Sequence, residues 1–195
     1  MIAYLNGTLA HAEPTHAVVE CAGVGYHVRI SLFTYQQLAG RRQVLLHTHH
    51  QSKEDGQTLF GFLSPDEKQL FELLISVQGV GGALALAILS AYSPAETRRM
   101  LASGDSASLR RVKGVGQKSA ERLVLELREK ALNGTTDGPT TTEGPSRQTR
   151  DEALQALITL GFAKAQASTK LDQLLREDPG ATAEALIKAV LRSGA

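Results

Sequence analysis

The sequence predicts a multidomain chain that is β first and all-α afterwards, and three observations predict it. Short strand-like runs punctuated by glycine fill about the first 63 residues. Near residue 63 the hydrophobic period then changes from 2 to 3.6. Finally, residues 134–146 hold no apolar side chain except prolines and separate two helical regions.

Five candidate strands lie at 2–9, 17–20, 26–30, 44–49 and 58–62. In the third, Tyr26, Val28 and Ile30 share one face while His27 and Arg29 share the other, the alternation of a strand covered on one side. Gly23-Val24-Gly25 marks the turn before it, and 33–38 predicts a short helical turn before Gly40. Five strands in so short a span predict a small closed barrel of the OB type, because closure removes the edges such a sheet would expose. The loop 51–57 sets Glu54 and Asp55 at a hairpin tip, and Asp55-Gly56 is a turn dipeptide. From composition alone it reads as a solvated turn.

Ser64-Pro65-Asp66-Glu67 opens the helical part, with serine as cap, proline at the first helical position and glutamate three residues after the cap. Ser93-Pro94-Ala95-Glu96 repeats that start, and Asp105 caps a further helix. Between and beyond them stands an internal repeat at an offset of 35 residues. Val77 matches Val112, Gly79-Val80-Gly81 matches Gly114-Val115-Gly116, and Ala85 matches Ala120. Apolar residues at helical spacing flank each tripeptide, so two helices meet at each. Glycine at both ends permits positive φ and close backbone approach, while the middle valine anchors the turn inward. The helix that follows begins with unpaired N–H groups and the positive end of its dipole, whose natural ligand is an anion. Two such starts in tandem suit two phosphates along one nucleic-acid backbone. The stretch resembles the helix-hairpin-helix motif of non-specific DNA binders. The bland alternative is a pair of glycine-capped turns without a ligand. The basic side chains Arg110, Arg111, Lys113, Lys118 and Arg122 around the second copy weigh against it.

Residues 134–146 cannot repay the entropy of ordering and read as a flexible linker. After them, Thr149-Arg150-Asp151-Glu152 predicts a capping box for a helix ending at Gly161, with helices near 164–176 and 182–192 to follow. Leu154, Leu157, Ile158, Leu160, Phe162, Leu171, Leu174, Leu175, Leu186, Ile187 and Val190 supply the apolar core of this last module. A tethered three-helix bundle of under 50 residues suits docking better than catalysis. The predicted domains are thus 1–63, 64–133 and 147–195, joined across 134–146.

A formal net charge of +1 advertises no global field. Residues 64–133 carry ten basic and eight acidic side chains, a small surplus where the repeat lies. Local neutralisation of phosphates needs no more than that. The single Cys21 cannot form an internal disulfide, and no basic start with a long apolar run opens the chain, which points to a cytoplasmic protein. No run approaches about 18 apolar residues, so no membrane span is predicted. Enzymatic readings find little support. There is no phosphate loop of the Gly-x-x-x-x-Gly-Lys-Ser/Thr kind. His47 and His49 share a strand face, with His50 opposite and His27 on another strand, and read as surface histidines rather than a metal site. Cys21 has no nearby base and reads as a buried thiol. No pocket pattern supports nicking or glycosylase chemistry.

Barrel, acidic hairpin tip, repeated hairpins, linker and terminal bundle together resemble the RuvA family, bacterial proteins that bind Holliday junctions and serve the RuvB branch-migration motor. The resemblance runs the full length. It is carried in detail by Thr58-Leu59-Phe60-Gly61-Phe62, Val77-Gln78-Gly79-Val80-Gly81, Val112-Lys113-Gly114-Val115-Gly116-Gln117-Lys118 and Ala156-Leu157-Ile158-Thr159-Leu160-Gly161-Phe162. It implies a non-catalytic, four-fold symmetric homotetramer holding an open four-way DNA junction, in some complexes paired as an octamer. It also implies partnership with the RuvB ATPase, which uses the ATP, and through the complex with RuvC resolvase; no cofactor is implied. Gly79, Gly81, Gly114, Gly116, Lys113, Lys118 and Arg122 would meet the DNA backbone. Glu54 and Asp55 would be acidic pins that repel phosphates near the crossover. The C-terminal UBA-like bundle would dock the motor around Leu157, Leu160 and Phe162. One departure stands out: the first hairpin commonly continues with proline and lysine, whereas here Gly82-Ala83 follow, so a flexible glycine opens the helix and the lysine charge is missing. Two other functions fit the residues less fully, a duplex-binding repair adaptor without junction preference and a structural protein-interaction scaffold.

Overall fold

The computed structural model describes residues 1–53, 56–133 and 145–192. Strands β1 (Tyr4–Glu13), β2 (His16–Cys21), β3 (Val24–Ile30), β4 (Gln43–Lys53) and β5 (Gly56–Phe62) form a closed barrel in the order β1-β2-β3-β5-β4, with β1 returning to β4. All neighbours are antiparallel except β3 and β5. The parallel step requires a crossover, and the chain makes it through helix α1 (Leu32–Leu38) and β4. The turn between β2 and β3 falls one residue earlier than Gly23-Val24-Gly25 suggests. Ala22 and Gly23 both hold positive φ, 51° and 84°, the two-residue hairpin geometry whose twist matches the strands. Leu5, Ala17, Val19, Val28, Ile30, Leu38, Val44 and Leu46 fill the barrel. The acidic tip, Glu54 and Asp55, lies outside the described residues, although β4 and β5 are paired up to Lys53 and Gly56.

Helices α2 (Pro65–Ile75), α3 (Gly82–Ala91), α4 (Pro94–Ser103), α5 (Ser106–Leu109) and α6 (Gln117–Asn133) follow. Their starts are built as the sequence implies. The Ser64 Oγ accepts from the Glu67 N–H at 3.1 Å, Ser93 and Glu96 close a reciprocal capping box, and Asp105 accepts from the Ser108 N–H at 3.0 Å. The class changes at residue 64, and packing runs straight across the change. Phe60 and Phe62 of β5 join Leu70, Phe71 and Leu74 of α2 in one core, with Phe71 centred 4.9 Å from each of the two β5 rings. His49 is therefore no free surface histidine. Its Nδ1 lies 3.1 Å from Glu72 Oε1, and its ring is centred 5.5 Å from Phe71. Residues 1–135 form one compact unit.

A buried carboxylate ties α1 to α2 within this unit. Ser31 Oγ donates to Glu67 Oε1, Thr34 Oγ1 donates to Glu67 Oε2 at 2.7 Å, and all three residues are inaccessible to solvent. Burial pushes the Glu67 carboxyl above its ordinary range, against the lowering effect of the two hydroxyls.

Residues 136–195 form the second compact unit, with α7 (Pro145–Thr159), α8 (Lys164–Glu177) and α9 (Ala183–Arg192). The predicted linker lies largely outside the described residues, and the predicted cap at Thr149 is overturned because α7 already runs from Pro145, a residue suited to the first helical turn. Arg150 is thus a mid-helix residue. Its Nε donates to Asp172 Oδ1 at 2.6 Å and its Nη2 to Ser168 Oγ at 2.8 Å, which fixes α7 on α8. That partner holds the Asp172 carboxyl below its ordinary range. Leu154, Leu157, Leu171, Leu186 and Val190 form the core, whereas Leu160 is 57% exposed.

Candidate nucleic-acid interface

The two repeated turns are the same structure built twice. In the first, the Val77 N–H donates to Leu74 O at 3.3 Å, the Val80 N–H to Val77 O at 3.0 Å, and the Ala85 N–H to Gly81 O at 3.0 Å. In the second, the Val112 N–H donates to Leu109 O at 3.1 Å, the Val115 N–H to Val112 O at 3.0 Å, and the Ala120 N–H to Gly116 O at 3.0 Å. Val80 and Val115 are buried, as are Ala85 and Ala120, so each anchor holds its turn against the shared core.

The glycines divide into two kinds. Gly79 and Gly114 hold φ of 88° and 94°, the left-handed region closed to most side chains. Gly81 and Gly116 do not share this need. Gly81 sits at φ −91° and ψ 170°, Gly116 is also outside the left-handed region, and a Cβ on either would meet nothing within 4 Å. The reading of positive φ at both ends of each tripeptide is therefore corrected. Among the described residues no side chain or backbone closes on the space beside Gly81 or Gly116, and each turn is left open to the outside there.

Helix capping points the same way. Serine or aspartate side chains occupy the first amides of α2, α4 and α5. Gly81 caps α3 with no side chain, and Gly116, ahead of α6, has none to offer. Both starts thus present N–H groups without an intrahelical acceptor at exposed turns. Gln78, Gly79, Gly81 and Ala83 are exposed on the first, and Lys113, Gly114, Gly116 and Lys118 on the second. Arg110 and Arg111 are exposed beside the second.

The two turns also brace each other. Arg122 on α6 donates from Nη1 to Gln78 O at 3.2 Å and lies 3.9 Å from Glu126, so it joins the second hairpin's helix to the first hairpin's turn. A Cβ at Gly114 would stand 3.3 Å from Leu84 Cδ1 on α3. Sequence reasoning missed this bracing, because a one-dimensional pattern shows the charge of Arg122 and not its acceptor.

Gly82 proves to be something other than a flexible helix start. It is buried, and a Cβ there would stand 2.4 Å from Phe60 Cζ, 2.8 Å from Cε1 and 3.0 Å from Cε2. Its glycine lets α3 lie against the barrel ring, while Ala83 remains exposed without a charge.

In the C-terminal unit, the structure separates the three residues expected to dock a partner. Leu157 is fully buried and belongs to the core, which removes it from any contact face. Leu160 is exposed, and Phe162 is half-buried in a groove with Ala165, Gln166, Thr169 and Lys170. Cys21 is half-buried rather than buried, its Sγ donating to Asn6 O at 3.4 Å.

Comparison with known proteins agrees in all three parts. Residues 1–61 match the RuvA N terminal domain, 71–129 the SAM-like helix-hairpin-helix tandem, and 148–193 the RuvA C-terminal domain. Among curated relatives, the protein of Cytophaga hutchinsonii is 43% identical over 197 residues, covering 98% of this chain and 99% of that one. That of Christiangramia forsetii is 41% identical over 192 residues, covering 98% and 99%. That of Acidobacterium capsulatum is 44% identical over 182 residues, covering 93% and 92%. Each bears the name Holliday junction branch migration complex subunit RuvA. With its barrel, paired hairpins and terminal bundle matched in order and over nearly the whole length, the chain belongs to the RuvA family.

Proposed function

We propose that the chain is the non-catalytic DNA-binding subunit of a cytoplasmic branch migration complex, binding four-way junctions by structure rather than sequence and serving a RuvB-type ATPase. The observation that carries this reading is the matched pair of uncapped, glycine-opened helix starts. Each offers amides to one backbone phosphate, and such contacts position a protein without reading bases. Lys113 and Lys118 add charge at the second turn, whereas the first works through amides alone because Ala83 stands where a lysine would. Arg122 sets the spacing of the two turns through Gln78.

The remaining roles follow from the family. Glu54 and Asp55 form an acidic pin near the crossover, where like charge keeps phosphates apart within a screening distance of about 8 Å. Leu160 and Phe162 present apolar surface to the motor. The assembly is a homotetramer, paired face to face as an octamer on some junctions, with RuvC resolvase joining through the complex. Mass measurement with and without junction DNA distinguishes one tetramer from two. The reading is tested by affinity for a four-way junction against a linear duplex of the same arms over a salt series. Junction binding is expected to be far tighter and to weaken steeply with salt; equal affinities would favour the general duplex adaptor. In the same assay, Glu54→Gln with Asp55→Asn should keep or strengthen junction binding while impairing branch migration, and a large loss of affinity would contradict the pin.

A further inference from the structure

The outer face of the barrel gathers histidines at the β1–β2 hairpin that the DNA-binding reading does not use. The strands pair Leu9 with Val19 and His11 with Val18, a register shift that inserts one extra residue into β1. Such a shift reverses which face the following residues meet. Simple alternation from Leu5 through Leu9 would turn His11 and Glu13 inward. After the bulge Ala12 is half-buried, and His11 and Glu13 are exposed. The hairpin then pairs Glu13 directly with His16, whose neighbours Ala17 and Val19 face the core.

The result is a compact donor set. His11 Nε2 lies 3.0 Å from Glu13 Oε1, and His16 Nδ1 lies 3.9 Å from Glu13 Oε2. One ligand atom from each of the three residues lies within 4.8 Å of the others. Bonds of about 2.0–2.2 Å to a common tetrahedral ion place donors about 3.3–3.5 Å apart. Closing the set therefore takes shifts of about 1 Å, within reach of side chains that are 57%, 54% and 25% exposed. His27 of β3 stacks on the His16 ring at 4.6 Å and restrains it. Arg29, paired opposite His16, is the nearby cation that an incoming ion must tolerate.

We propose that the β1–β2 hairpin carries a zinc site, with His11, Glu13 and His16 as its protein ligands and water completing the coordination. Two imidazoles and one carboxylate suit a borderline transition-metal ion, and give calcium or magnesium, which require several oxygens, little to bind. The sequence pattern reads His27, His47, His49 and His50 as surface histidines and does not single out this set, because the bulge that assembles it leaves no mark in alternation. Bound zinc would clamp the turn end of the hairpin and add to the stability of the folded chain.

The test is zinc titration of the full-length protein by calorimetry, with cobalt as a spectroscopic substitute. One saturable equivalent per chain is expected, with a rise in Tm on zinc addition and no response to magnesium. His11→Ala and His16→Ala should each weaken binding by about tenfold or more, and Glu13→Gln should do likewise. His50→Ala should leave binding unchanged. The absence of saturable binding would overturn the proposal. So would undiminished affinity in the triple variant His11→Ala, Glu13→Gln, His16→Ala, its fold verified by circular dichroism.

Discussion

Gly79, Gly81 and Gly82 occupy neighbouring positions for three different physical reasons. Gly79 is required by its φ of 88°, Gly82 by the Phe60 ring, and Gly81, the N-cap of α3, by no described atom within 4 Å. A sequence shows three small residues and cannot sort them. The inward direction of Val80 and Val115 was legible, because an apolar side chain between two glycines and two amphipathic helices has one place to go. The tightness at Gly82 was not, since it depends on a ring 22 residues earlier whose position only the closed barrel fixes. Gly82→Ala should therefore lose about 1–3 kcal/mol of stability in urea unfolding. Phe60 is buried and packed against Phe71 at 4.9 Å, so the clash is expected to outweigh the better helix propensity of alanine. An unchanged midpoint would mean the ring yields.

At the scale of elements, helix starts were the most legible feature. Ser64, Ser93 and Asp105 cap as their residue types imply, and α7 alone begins earlier than its apparent capping box. What the sequence could not show is the second duty of Glu67. The third residue of a capping motif is ordinarily solvated, whereas here it is buried against the start of α1 by Ser31 and Thr34. A carboxyl raised above its ordinary 4.5 is stabilised in the folded state in its protonated form. Its contribution is full below that value and declines as pH rises through the folded pKa. Glu67→Gln mimics the protonated form. Its Tm should fall less than that of the parent between the ordinary carboxylate range and neutral pH, and a steeper fall would show that the ionised carboxylate is the stabilising species.

For the whole molecule, class and order were legible because hydrophobic period and turn residues declare them locally. The packing of β5 against α2 was not, because Phe60 and Phe62 read equally well as barrel interior. The two compact units, 1–135 and 136–195, differ in what they carry: one holds both hairpins, the other the exposed Leu160 and the Phe162 groove. Removing residues 145–195 should spare junction affinity and abolish stimulation of the motor's ATPase, measured on the same DNA. Stimulation that survives the truncation would place the docking surface in the first unit. Among the described residues, no helix is long and apolar enough to cross a membrane.

If the DNA backbone comes closest at the space left open by Gly81 and Gly116, junction affinity and thermal stability should part company in the Gly81→Ala, Gly116→Ala variant. Neither Cβ meets a described protein atom within 4 Å, and the gain of about 0.4–1 kcal/mol per site from restricting the unfolded chain is offset by a loss of similar size, because alanine is disfavoured against glycine at a helix N-cap. Tm should stay close to that of the parent while junction binding weakens about tenfold or more, ~1.4 kcal/mol. Parental junction affinity in the folded variant would show that the DNA backbone passes elsewhere.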